Sequence, residues 1–69
     1  MNEGIYSAQE TLAQLMWLGQ RGRLELDCRS GQWAIWFFNN LIERGTGDVC
    51  FKEAVRRLAE QVEEYYDQI

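Results

Sequence analysis

Cys50 is the residue of this 69-residue sequence that is best placed for nucleophilic chemistry. We expect it in the first turn of a helix that begins at Asp48, a position where the helix dipole can activate a thiol as a nucleophile. A thiol enzyme also needs a general base, and the sequence contains no histidine. We therefore predict no catalytic residue and no enzymatic activity, and we expect Cys50 to serve as a small buried hydrophobic residue.

The two cysteines, Cys28 and Cys50, are expected to be reduced thiols. A disulfide between them is geometrically possible, because both are predicted near helix starts, but nothing in the sequence indicates export to an oxidising compartment. The sequence contains no CxxC, no HExxH, no Gly-rich phosphate loop and no Ser-centred elbow. No metal site and no cofactor are predicted.

Four carboxylates near the C-terminus form an acidic stripe on a predicted helix. Carboxylates at this spacing can hold a hard cation weakly, or can imitate the phosphates of DNA, but no ligand loop accompanies them. Duplex DNA carries a charge about every 1.7 Å of its axis, and this stripe is sparser and follows three basic residues. A solvated helix face is the favoured interpretation, and the stripe consists of Glu60, Glu63, Glu64 and Asp67.

The charge and hydropathy of the chain disfavour two classes of partner. A formal net charge of -4 argues against direct binding to nucleic acid, which requires clustered Lys and Arg. No apolar run has the length of a signal peptide or of a transmembrane helix. We therefore expect no membrane partner and a cytoplasmic location.

The periodicity of apolar residues predicts an all-α fold, a small three-helix bundle, in a single helical domain over 1–69. The predicted helices are Ser7–Gln20, Ser30–Arg44 and Asp48–Asp67, and the first begins with a Ser7 to Glu10 capping box. The run from Trp33 to Ile42 is the most apolar part of the chain. Turned as a helix, it presents an apolar arc of about 200°. Such a helix must be packed between two others, or have one flank covered by a second copy of the chain through dimerisation.

The segment Arg23–Cys28 alternates polar and apolar residues, which is a strand signal. No second alternating run offers it a partner under this assignment, and a lone strand leaves its backbone polar groups unpaired. Three options remain: an extended connector, a strand paired with its twin in a dimer, or a helical turn. The connector is favoured.

Two tryptophans, Trp17 and Trp36, fall outside the apolar arcs of their predicted helices. Tryptophan is enriched at the binding hot spots of protein interfaces. Trp36 would lie among polar residues on its helix, so the predicted contact surface consists of Trp17, Trp36, Asn39, Asn40 and Glu43. The alternative is that both indoles are core residues.

These features together predict a small acidic inhibitor or adaptor that binds another protein without catalysis. In size and composition the chain is typical of a phage- or plasmid-type antagonist of a host protein machine. The predicted partners are a protein and a second copy of the chain, as a homodimer. Two alternatives are a homodimeric transcriptional or nucleic-acid-linked regulator and an acidic DNA mimic that acts through the carboxylate stripe.

Overall fold

The chain forms two helices and a three-stranded antiparallel sheet. The computed structural model describes the backbone of residues 2–67 and the side chains of residues 8–66. The elements are α1 (Asn2–Arg21), β1 (Leu24–Arg29), β2 (Gln32–Phe37), β3 (Asn40–Thr46) and α2 (Asp48–Asp67). The strands follow the order β1-β2-β3, so β2 is central. The fold is therefore α+β, and the predicted all-α three-helix bundle is wrong.

The predicted central helix Ser30–Arg44 forms β2, a turn and most of β3 instead. Its apolar run is compatible with the periodicity of a helix and with that of a strand, because a dense row of large side chains gives an apolar face to either element. The chain adopts the strand, with its period of two residues. Trp33 and Ile35 are buried against the helices, whereas Trp36, the next residue, points to the other side of the sheet.

The favoured interpretation of Arg23–Cys28 as a connector is also wrong. β1 pairs with β2 along its whole length, with Leu26 opposite Ile35 and Asp27 opposite Ala34. The alternation indicated a strand correctly, but the partner strand lay in the segment that had been assigned to a helix. Once β2 is a strand, the backbone groups on the inner edge of β1 are paired.

Both hairpin turns use two consecutive residues with positive φ. Ser30 and Gly31 have φ of 50° and 80°, and Phe38 and Asn39 have φ of 52° and 66°. Positive φ at both central residues is the geometry of a type I′ turn, whose twist matches that of the flanking strands. The chain therefore reverses in two residues at each turn and forms a meander.

The helices lie close to their predicted positions. α2 has the predicted bounds, and Oδ1 of Asp48 accepts a hydrogen bond from the Val49 amide at 2.9 Å. α1 begins at Asn2 rather than at Ser7. The side chain of Ser7, on which the predicted capping box depends, lies outside the described residues.

The core lies between the helices and one face of the sheet. Leu18 of α1, Ile35 of β2 and Val55 of α2 are fully buried there. Trp33 joins the sheet to the start of α2, because its Nε1 donates a hydrogen bond to the carbonyl of Gly47 at 2.9 Å. The remaining buried apolar residues are Ala54, Leu58, Ala59 and Val62.

Candidate protein-binding face

The sheet face that points away from the helices carries no covering element among residues 2–67. We call it the open face. Side chains alternate between the two sides of a strand, and residues directly opposite each other in neighbouring strands point to the same side. Starting from buried Ile35, the registers of the two hairpins assign three residues of each strand to the open face: Glu25, Asp27 and Arg29 of β1, Gln32, Ala34 and Trp36 of β2, and Leu41, Arg44 and Thr46 of β3.

Trp36 lies at the apolar end of the open face. It is opposite Glu25 on one side and Leu41 on the other, and its indole is half-buried. The pairing of β2 with β3 shifts at a β-bulge next to Trp36, and this bulge brings Ile42 beside Leu41. Leu41 is 45% and Ile42 is 40% exposed. An aromatic and two aliphatic side chains therefore lie together at the surface.

The part of the open face farther from Trp36 carries charged side chains. Asp27 and Arg44 flank the small side chain of Ala34 from opposite sides. On β1, Nε of Arg23 lies 2.8 Å from Oε1 of Glu25, and Nε of Arg29 lies 3.3 Å from Oδ1 of Asp27. Within the described part of the chain, Arg44 forms no ion pair. Each carboxylate at the β1 edge thus has an arginine beside it, whereas Arg44 at the β3 edge has no ion-pair partner among residues 8–66.

The two tryptophans of the predicted contact surface do not lie together. Trp36 belongs to the open face, whereas Trp17 lies on α1, is half-buried and packs against the core. The guanidinium of Arg21 covers the Trp17 ring, with its central carbon 3.9 Å from the ring centroid, and its Nη1 donates to the Trp17 carbonyl at 3.3 Å. One partner surface therefore cannot include both indoles unless it wraps around the molecule.

The polar members of the predicted surface are divided as well. Asn39 occupies the left-handed turn position between β2 and β3, and Nδ2 of Asn40 donates to the Phe38 carbonyl at 3.3 Å. Glu43 is opposite Ile35, so it points to the helical side, where Arg57 of α2 donates a hydrogen bond to it. This hydrogen bond raises the pKa of the Arg57 guanidinium. Glu43 thus joins β3 to α2.

The acidic stripe lies on α2, in the helical layer. Glu60, Glu63 and Glu64 are exposed, and the side chain of Asp67 lies outside the described residues. Within the same limits, no group of three or more Cys, Asp or Glu side chains is arranged to hold a metal ion. The stripe and the open face are therefore on opposite sides of the sheet.

Both cysteines are free and exposed, Cys28 on β1 and Cys50 in the first turn of α2. The expectation that Cys50 is buried is wrong. The buried face of α2 contains Val55 and Leu58, and Cys50 lies outside that face.

The sequence interpretation missed Asp27, Leu41, Ile42 and Arg44 as surface neighbours of Trp36. A signal was present, because Ser30-Gly31 is a turn dipeptide and it follows the alternating segment Arg23–Cys28. Given that turn, the hairpin register would have placed Asp27 and Trp36 on one face.

Comparison of the chain with protein-family models, with curated proteins and with solved structures found no match. Over the residues that the structure describes, neither helix combines the length and the apolar character that crossing a lipid bilayer requires.

Proposed function

We propose that this protein is a non-catalytic protein-binding module, of the inhibitor or adaptor kind, whose contact surface is the open face. The observation that carries the proposal is the position of Trp36. Its indole lies with exposed Leu41 and Ile42 on a sheet face that no described element covers.

The physical argument concerns the layers of the fold. A sheet buries one face against helices and leaves the other in water when that other face is polar, as in many antiparallel sheets. Here the face in water carries a tryptophan, one of the residue types that are enriched at the hot spots of binding interfaces. An aromatic side chain brings about 150–250 Å² to the area that a partner can bury. The open face is therefore suited to contact with another protein.

A cytoplasmic location belongs to the same proposal. It is supported by the two exposed free thiols of Cys28 and Cys50, because a reducing compartment keeps such thiols from forming disulfides.

The test is affinity capture followed by binding measurements with purified components. Wild type, Trp36→Thr and Met16→Thr are each immobilised and incubated with an extract of the source cells. Threonine at position 36 keeps the preference of the strand for β-branched residues while it removes the indole. Met16 is 62% exposed on α1, so its variant is the control for loss of an exposed apolar side chain on the other layer.

We expect a captured protein to bind wild type and Met16→Thr with similar Kd and to bind Trp36→Thr at least about 30-fold more weakly, the loss typical of a hot spot. Circular dichroism establishes that each variant is folded. Equal retention by wild type and Trp36→Thr would show that the open face is not the contact surface.

A further inference from the structure

We infer that the occupant of the open face is a second copy of this chain, in a symmetric dimer whose two sheets pack face to face. This inference rests on the proposed function, because it uses the same surface. It adds the identity of the partner and the orientation in which the two copies meet.

The orientation follows from the order of the strands. A two-fold axis that runs between the two sheets, parallel to the central strand β2, places β2 over the partner's β2 and β1 over the partner's β3. The operation leaves each residue at the same level along the strands. Trp36 then meets the partner's Trp36, and Ala34 meets the partner's Ala34.

The charges of the open face are complementary in this orientation. Asp27 and Arg44 occupy the same level on opposite edges, since both are opposite Ala34. Asp27, whose Oδ1 is 3.3 Å from Nε of Arg29 in its own strand, therefore also lies against the partner's Arg44, and the symmetry produces this contact twice. Arg44, which has no ion-pair partner within residues 8–66 of its own chain, gains one in the dimer.

The alternative two-fold axis, perpendicular to the strands, gives the opposite result. It places β1 over the partner's β1 and β3 over the partner's β3. The side chains of β3 on the open face are Leu41, Arg44 and Thr46, so Arg44 meets no carboxylate of the partner's β3 at any level of this axis. The axis parallel to β2 is the one that gives Arg44 an ion-pair partner, so charge complementarity favours it.

The size of the face determines how tight the dimer is. Packed sheets lie about 10 Å apart with strand directions within about 30° of each other, so the two Trp36 indoles face each other across this gap. Three strands spaced about 4.8 Å apart, with a rise of about 3.3 Å per residue, give a footprint of about 14 by 20 Å for six-residue strands. This is below the size of a stable interface, so we expect a dimer that dissociates on dilution into the micromolar range.

Charge exchange tests the orientation. Asp27→Arg and Arg44→Asp are prepared separately, and sedimentation equilibrium measures self-association of each at protein concentrations from micromolar to millimolar. Each single variant opposes like charges at both symmetric contacts, so we expect its dimer to be at least about 10-fold weaker than wild type. When the two variants are mixed, both contacts of the heterodimer pair opposite charges. The mixture is therefore expected to associate with a Kd within about 3-fold of wild type.

Two controls accompany this exchange. Arg56→Asp changes an exposed cation on α2, in the helical layer, and is expected to leave the Kd of the dimer unchanged. Raising the salt concentration screens the Asp27 to Arg44 pairs and is expected to weaken the wild-type dimer.

A wild-type protein that stays monomeric at all these concentrations overturns the inference, as does a mixture that associates no better than the single variants. The proposed function is judged separately. If a captured protein binds wild type and not Trp36→Thr, the open face is a binding surface although its occupant is not a second copy. If Trp36→Thr changes neither dimerisation nor capture, both proposals fail.

Discussion

Shortening Ile35 to valine removes one methylene group from the centre of the core. The Ile35 side chain is 0% exposed on the central strand, whereas Ile42 is 40% exposed at the bulge of β3. The Ile42→Val variant is therefore a matched control with the same chemical change, in a residue of the same strand preference. The three-helix prediction placed both isoleucines in one apolar arc, so the pair of variants separates the two folds.

The expected magnitude follows from burial. Loss of a buried methylene costs about 0.8 kcal/mol in transfer free energy, and Ile→Val in a core costs about 0.5–1.5 kcal/mol once the cavity is included. A chain of 69 residues at about 0.05–0.15 kcal/mol per residue has a free energy of unfolding of about 3–10 kcal/mol. Ile35→Val therefore removes a measurable share, whereas Ile42→Val stays within about 0.5 kcal/mol of wild type.

The assay is urea unfolding followed by circular dichroism, at a protein concentration low enough that self-association does not contribute. A loss of about 1 kcal/mol corresponds to a fall in Tm of about 4–8 °C for a domain of this size, which gives an independent thermal measurement. Equal losses for the two variants would refute the assignment of Ile35 to the core and of Ile42 to the surface.

Two further predictions concern the fold and the thiols. Gly45→Ala would place a Cβ 2.9 Å from Cζ2 of Trp33, so we expect a loss of about 1–3 kcal/mol from overpacking. The control is Gly19→Ala on α1, whose added Cβ meets nothing within 4 Å. Its free energy of unfolding is expected to rise by up to about 1 kcal/mol through helix propensity. If urea unfolding gives the same change in free energy for both variants, the packing of Gly45 against Trp33 is contradicted. Cys28 and Cys50 are both exposed and free, and a thiol reagent should titrate two groups per chain without denaturant. A thiol that reacts only after unfolding would contradict this placement.

The elements that could be predicted from the sequence are those in which one periodicity dominates. In α2 the buried residues Val55, Leu58 and Val62 recur at the steps of a heptad, and the predicted bounds Asp48–Asp67 are those observed. Glu53 and Arg57, one turn apart on that helix, form an ion pair, with 3.9 Å between Oε2 and Nη1. Local spacing was sufficient there because the helix satisfies its own backbone.

The sheet could not be predicted in the same way, because a strand depends on a partner that is distant in the sequence. β2 carries large apolar residues on both sides, Trp33 toward the helices and Trp36 on the open face, so its alternation is hidden. The turn at Phe38-Asn39 gave no signal, since a bulky aromatic residue rarely adopts positive φ. The prediction that Trp36 contacts a partner remains a prediction, now on a strand and without Trp17 beside it.

Solvent access to the three indole N–H groups tests most directly whether binding covers the open face. In NMR spectra with a soluble paramagnetic agent, the Trp33 signal should be protected throughout, because burial of its side chain keeps the agent at a distance. We predict that the Trp36 signal broadens in dilute protein and becomes protected when a second copy or a captured partner binds, while the Trp17 signal does not change. A Trp36 signal that remains equally broadened in the bound protein would contradict the account.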